Sequence, residues 1–201
     1  MTNGIRFCDD LGSHGFSWIV DERMTRTSHA LASDGKVWLV DPVDWPDAIG
    51  RARGLGEPAG VLQLLDRHNR DCAAIAERLG VPHLIAPDAV PGSPFECVPL
   101  VRRRRWAETA VWWPERRTLV VAEAVGTNPF FTGGKALLGV HFLLRLTPPT
   151  ALAPCEPEHL LTGHGAGIHG PGASDALHDA LRTSRRRLPG VLVRLPFAAR
   201  A

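Results

Sequence analysis

Residues 61–79 constrain this chain most. Val61-Leu62-Gln63-Leu64-Leu65 is an apolar strand, Asp66 to Asp71 is a polar turn, and Cys72-Ala73-Ala74-Ile75-Ala76-Glu77-Arg78-Leu79 reads as a helix. A strand running straight into a helix through a polar turn is a building block of α/β folds, and loops at strand ends are where such folds carry chemistry.

The flanking segments extend the pattern. Residues 15–20, 28–32 and 36–40 read as strands of a hairpin or meander, the last two joined by the turn Ser33-Asp34-Gly35. Pro42 closes the third, because proline cannot donate to a ladder. Residues 44–53 read as a helix, with Asp44 as N-cap and Pro46 in the first turn. A short strand over 82–85 and a Pro- and Gly-rich loop over 87–94 follow. Strands at 97–101 and 107–113 flank Arg102 to Arg105, and Glu115-Arg116-Arg117 makes a tight turn. Residues 118–122, rich in β-branched side chains, form a buried strand. Residues 136–146 read as a helix or long apolar segment ended by Pro148-Pro149. Leu160-Leu161 is a last short strand, and residues 174–186 are a terminal helix with Ser174 and Asp175 as caps and Gly190 past its end. Strands followed by helices in two successive halves indicate an α/β sandwich.

Length and composition narrow the classes. The 201 residues, 44% hydrophobic, suit a single domain over 1–201 with a layered core. No apolar run approaches the ~18 residues needed to span a bilayer, and the start of the chain lacks a charged segment followed by an apolar one. The expectation is a cytoplasmic protein with no membrane partner. The four cysteines lie far apart without a Cys-x-x-Cys pair, which indicates free thiols rather than a zinc knuckle. Net charge is +2, and the arginine clusters 102–105 and 185–187 have no interleaved aromatic residues. They read as solvated faces, with no nucleic-acid partner expected. Nucleophile elbows, phosphate-cradling loops and dinucleotide fingerprints are absent from the sequence.

Four segments, in order, resemble the metallo-β-lactamase superfamily. Val37-Trp38-Leu39-Val40-Asp41-Pro42 is similar to its early strand ending in an Asp. The turn after residue 65 stands where that family has His-x-His-x-Asp-His. Trp112-Trp113-Pro114-Glu115-Arg116-Arg117-Thr118-Leu119-Val120-Val121-Ala122-Glu123-Ala124 resembles the hairpin ending in a metal-bridging Asp, with Glu123 in that place. Leu160-Leu161-Thr162-Gly163-His164-Gly165 resembles the closing Gly-His-Gly motif, whose His is a ligand. The remaining family His would fall near Arg105 or Trp106. The resemblance spans residues 15–170 and implies an αββα sandwich.

Laid on the turn motif, Arg67 takes the first His place, Asn69 the second, Asp71 the Asp place and Cys72 the last His place. One family metal position then holds Arg67, Asn69 and Arg105 or Trp106. A guanidinium has no lone pair to give, so that position is lost. Arg67 is expected to place its charge there and pair with Glu123 or Asp71, a buried pair worth ~3–5 kcal/mol if broken. The other position corresponds to Asp71, Cys72, Glu123 and His164, all of them residue types that bind zinc. His68 falls at a non-ligand place and is expected to face solvent, although it lies in the pocket-forming turn. Arg67, His68, Asn69, Asp71, Cys72, Glu123 and His164 are thus the expected pocket. Asp71 also reads as a helix cap, Cys72 as a small buried group, and His164 as a structural His. His169 is near enough in sequence to reach the pocket, and Phe130 and Phe131 are placed to line its mouth or cover the core.

The favoured expectation is a degenerate member, a pseudoenzyme without dinuclear zinc hydrolysis and without a cofactor, binding a small molecule or partner in the old pocket. The alternative is a hydrolase with one zinc at Asp71, Cys72, Glu123 and His164. A thiol enzyme built on Cys72 is a third.

Overall fold

The computed structural model describes residues 4–68 and 70–188. Strands β1 (Ile5–Asp10), β2 (Gly15–Val20), β3 (Thr27–Ser33), β4 (Lys36–Val40), β5 (Glu57–Gln63) and β6 (His83–Ile85) lie side by side in chain order. Pairing is antiparallel from β1 to β4 and parallel from β4 to β6. The two parallel connections are made by helices α1 (Pro46–Leu55) and α2 (Cys72–Leu79). The second sheet has β7 (Glu96–Arg103), β8 (Trp106–Trp113), β9 (Thr118–Val121), β12 (His159–Thr162) and β13 (Ile168–His169), in the order β13-β12-β9-β8-β7. β9 and β12 run parallel. A two-stranded ribbon, β10 (Val125–Gly126) with β11 (Gly139–Val140), brackets the single-turn helix α3 (Pro129–Thr132), and α4 (Gly172–Thr183) follows β13.

The period of two along each strand sorts side chains between two cores. Val37 and Leu39 of β4, with Val61 of β5, pack with Ala48, Ile49 and Ala52 of α1 and with Ile75 and Ala76 of α2. Trp38, Val40 and Leu62, one residue along, join Val111, Trp113, Leu119 and Val121 of the second sheet and Leu177 of α4. Helices therefore cover one face of the first sheet, the two sheets share a core, and α4 packs on the second: an αββα sandwich. No helix among the described residues is long and apolar enough to cross a membrane.

Four local features differ from expectation. β1 was not foreseen, and its pattern of half-buried and exposed positions shows why: it is an edge strand with little apolar alternation. Residues 136–146 do not form a helix. Leu138, Gly139 and Val140 are buried while Leu137 is exposed, and the segment forms β11, paired with β10, and a short 3-10 turn at Phe142–Leu144. Asp44 does not cap α1; Trp45 precedes its first residue, and Asp44 pairs with Arg78 of α2 at 2.6 Å. In α4, Ser174 donates to Glu156 instead of capping, and Gly190 lies outside the described residues.

Candidate metal centre

The loops after β4, β5, β9, β11 and β12 all open at one end of the sandwich, and each contributes one side chain. They are Asp41, His68, Glu123, His141 and His164. The loop after β5 is tied to the other sheet by backbone bonds. Asp66 N donates to Ala107 O at 3.0 Å and Thr109 N to Leu64 O at 3.0 Å, so the turn that carries His68 is docked on β8.

His68, Glu123 and His164 each offer a ligand atom, all within 4.8 Å of one another. The hydrogen bonds on the far side of each imidazole set which nitrogen faces inward. His68 Nδ1 lies 3.2 Å from Asp41 Oδ2, and His164 Nδ1 lies 2.9 Å from the Met24 carbonyl. Both acceptors require Nδ1 to carry the proton, which leaves each Nε2 with a lone pair turned toward Glu123. A ring N–H given to a carboxylate or a carbonyl is how metal-binding imidazoles are oriented. His141 is arranged the opposite way: its Nδ1 accepts from Leu143 N at 3.3 Å, so the neutral ring carries its proton on Nε2, 3.4 Å from Glu123 Oε1. His141 is therefore a donor beside the site and not a ligand. The group chemistry, two imidazole nitrogens and one carboxylate, would suit zinc, which takes four ligands, and among the described residues these three are the ones brought together.

The electrostatics follow from the same contacts. Burial raises Glu123, but the neighbouring His68, with His141 and His164, outweighs it and brings its pKa down to about 2. Burial and the Arg70 charge push His68 down, yet Asp41 and Glu123 hold it above its ordinary value. His164 is lowered to about 4 by burial, Arg70 and His68, and His141 to about 4 chiefly by burial. Without a cation, His68 stands between the carboxylates of Asp41 and Glu123, which favour its charged form against the cost of burial.

The surrounding residues fix this arrangement. Asp41, 1% exposed, takes the left-handed backbone conformation (φ 44°), which Asp tolerates better than most residues, and its Oδ1 accepts Leu64 N at 3.1 Å. Glu108 is fully buried; one oxygen accepts both Glu123 N and Ala124 N at 2.7 Å, and the other accepts Trp106 Nε1 at 2.9 Å. It pins the loop that carries Glu123. The glycines beside His164 are sterically required. A Cβ on Gly163 would lie 2.3 Å from Ala122 O, and one on Gly165 (φ +98°) would lie 2.2 Å from Thr127 Oγ1. Phe131 stacks on His164 with ring centroids 5.5 Å apart.

Arg70 is the cation of the site's inner wall. Its guanidinium donates to the carbonyls of Thr27, Asp41 (2.9 Å) and Gly163 (2.8 Å), joining the start of β3 to the loops after β4 and β12. No carboxylate lies within 4 Å of it among the described residues.

Of the residues singled out in the sequence, Arg67, His68, Glu123 and His164 converge, and Asp71 and Cys72 do not. Asp71 is exposed at the start of α2, where its carboxylate accepts Asp44 N at 2.8 Å. Cys72 is buried against Ile75 and Ala76 in the helix-side core. Burial pushes its thiol up to about 12, with the Asp41 charge adding to it, so a thiolate nucleophile there has no support. The reason is register. Shifting the turn motif by one residue puts Asp66 at the first His place, His68 at the second, Arg70 at the Asp place and Asp71 at the last His place, and of these only His68 joins the cluster. Arg67 does face Glu123, at 3.6 Å, but its side chain is 41% exposed and lies over Trp106 at 4.1 Å. Such a pair is worth under about 1 kcal/mol, not the cost of a buried one. Asn69 lies outside the described residues. His169 belongs to a different group, its Nε2 3.2 Å from Asp9. His141 was missed because its segment read as a helix or long apolar segment, and no motif in the sequence set it apart.

No protein-family model matches the chain, and no curated protein sequence matches it. Among solved structures, it is similar to the metallo-β-lactamase FIM-1 from Pseudomonas aeruginosa in its mono-zinc form, at 10% identity and TM-score 0.63 over 94% of this chain and 98% of that one. It is similar to VMB-1, at 8% identity and TM-score 0.62, and to the metallo-β-lactamase DIM-1 exposed to ceftazidime, at 13% and 0.60. Each comparison covers 92% of this chain and 99% of the other. The chain has the metallo-β-lactamase fold.

Proposed function

We propose that the protein holds one divalent cation, zinc by its donor set, at His68, Glu123 and His164, and is a single-metal hydrolase of the metallo-β-lactamase fold. One observation carries this reading. Asp41 and the Met24 carbonyl hold the Nδ1 protons of two imidazoles, so both Nε2 lone pairs meet at one carboxylate. A structural His pair has no need of that tautomer matching. The mono-zinc form of FIM-1 is a precedent for one metal in this fold. Arg70, at a place where the family supplies a ligand, favours a single cation, because its charge opposes a second and its side chain has no lone pair.

When bound, such a cation supplies Lewis acidity and lowers the pKa of water toward 7. The protein's own residues do the rest. His68 and His164 are held rigidly by Asp41 and by the backbone of Met24. Phe131, stacked on His164, keeps bulk water from that side. His141, neutral with its proton on Nε2, is placed to donate to an oxygen that gains negative charge beside the site, a role that suits acyl-type hydrolysis.

A second reading, a non-catalytic ligand pocket, is favoured by one feature: His68 and Arg67 already balance Glu123, at 3.6 Å each, with no cation. The two separate on loading purified protein with zinc or cobalt. The hydrolase reading expects turnover of a panel of activated esters and lactams that is lost on chelation, restored by zinc, and cut at least 100-fold in His141→Phe with its metal retained. A fully loaded protein without turnover on any ester, thioester or lactam supports the pocket reading instead.

A further inference from the structure

We propose that Arg67, backed by Trp106 and by the arginines at the β7–β8 tip, binds a phosphate group carried by a small-molecule substrate of the metal centre, as a handle and not as the bond cleaved. This rests on the single-metal reading.

Arg67 is held but unsatisfied. Its guanidinium lies 4.1 Å over the Trp106 ring, and that ring is itself fixed by the bond from its Nε1 to buried Glu108. Stacking sets the plane of the fork at little entropic cost, while the side chain stays 41% exposed. Its contacts are weak: Nη1 is 3.4 Å from Arg105 O, and Nη2 is 3.6 Å from Glu123 Oε2, beyond hydrogen-bond range. Glu123 is the only carboxylate within 4 Å of it among the described residues. A cation that takes Glu123 removes that partner and leaves a planar, oriented guanidinium next to the reacting centre.

The hairpin tip adds charge of the same sign. Arg103, Arg104 and Arg105 are exposed, and none has a carboxylate within 4 Å among the described residues, whereas neighbouring Arg102 is taken by Asp88 at 2.6 Å. The Arg105 carbonyl touches Arg67, so this tip lies at the rim of the site. Unneutralised guanidiniums on the hairpin beside it favour a dianion over a carboxylate, and a phosphate oxygen pair matches the Arg67 fork bidentately. On the other side, Phe130 and Phe142 pack about the His141 ring, at 5.9 and 4.7 Å between centroids, and offer an apolar wall to the rest of the molecule.

The test is calorimetric titration of zinc-loaded protein with inorganic phosphate, phenyl phosphate and benzoate. The expected order is phenyl phosphate tightest and benzoate weakest, with phenyl phosphate weakened at least tenfold in Arg67→Ala and less in Arg67→Lys, at unchanged zinc content. Unchanged affinity in Arg67→Ala would mean that phosphate sits on the metal alone and overturns the subsite. A single-stranded oligonucleotide bound far more tightly than phenyl phosphate would overturn it in favour of a polyanion surface. Glu123→Gln without zinc separates the two readings. It removes the acid beside Arg67, so phosphate binding there that is stronger than in the metal-free parent supports the subsite even where zinc loading fails, and no gain counts against it.

Discussion

Replacing Arg70 with Met should destabilise the protein by about 3 kcal/mol, because three carbonyls withdrawn from water lose their donor at a cost of ~1 kcal/mol or more each. The acceptors are Thr27 O at the start of β3 and Asp41 O and Gly163 O in the loops after β4 and β12. One term opposes this loss. The guanidinium is itself desolvated, and burial lowers its pKa although the Asp41 charge opposes the shift. Removing it therefore returns part of its desolvation cost. The carbonyl term wins, because Met cannot supply any of the three bonds while the loops stay closed by the rest of the fold. For a chain of this size the loss corresponds to a fall in Tm of roughly 6–12 °C. Arg70→Lys keeps the charge but cannot span three acceptors, and should fall between the two. The assay is thermal and urea unfolding of the three proteins without added metal. An Arg70→Met protein that melts with the parent would refute the idea that this side chain fastens the site's loops.

Glu108→Gln should cost about 1–3 kcal/mol, because the amide cannot accept from Trp106 Nε1 and from both backbone N–H groups of the Glu123 loop at once; urea unfolding and zinc titration of the variant would show both losses. Gly163→Ala should lose zinc binding and at least ~1–3 kcal/mol of stability, since its Cβ would fall 2.3 Å from Ala122 O, whereas Gly50→Ala, in the open on α1, should do neither. His29, fully buried and bonded to Ser17 at 2.8 Å, is lowered to about 4, mainly by burial. Its unfolded form takes up a proton below about 6.5 while the folded form does not. Stability should therefore fall by up to ~3 kcal/mol as pH drops from 6.5 toward 4, and His29→Gln should flatten that slope in urea melts across the range.

The fold was legible because its signal is redundant. Buried strands such as β4 and β9 and the β5–α2 unit announce themselves by composition, and their order alone suggests the sandwich. Glu123 and His164 were legible because strand ends and flanking glycines locate them independently of any ligand motif. The rest of the site failed for a local reason. The polar turn after β5 contains His, Asn, Arg, Asp and Cys in unbroken succession, and a shift of one residue exchanges every inward and outward position. Composition cannot choose between the two registers. Packing does, by burying Cys72 with Ile75 and Ala76 and so turning His68 and Arg70 inward. Asp41 was legible only as the Asp that ends an early strand, and Glu108 not at all, because both act through hydrogen bonds to groups distant in sequence.

The most direct test of the account is metal stoichiometry by native mass spectrometry and elemental analysis, on protein purified without chelator and loaded with zinc. One zinc per chain is predicted for the parent, for Asp71→Asn and for Cys72→Ser. None at equal protein concentration is predicted for His68→Gln, Glu123→Gln and His164→Gln. Two zinc ions per chain, no zinc in the parent, or zinc that survives loss of His68 but not of Cys72 would contradict it.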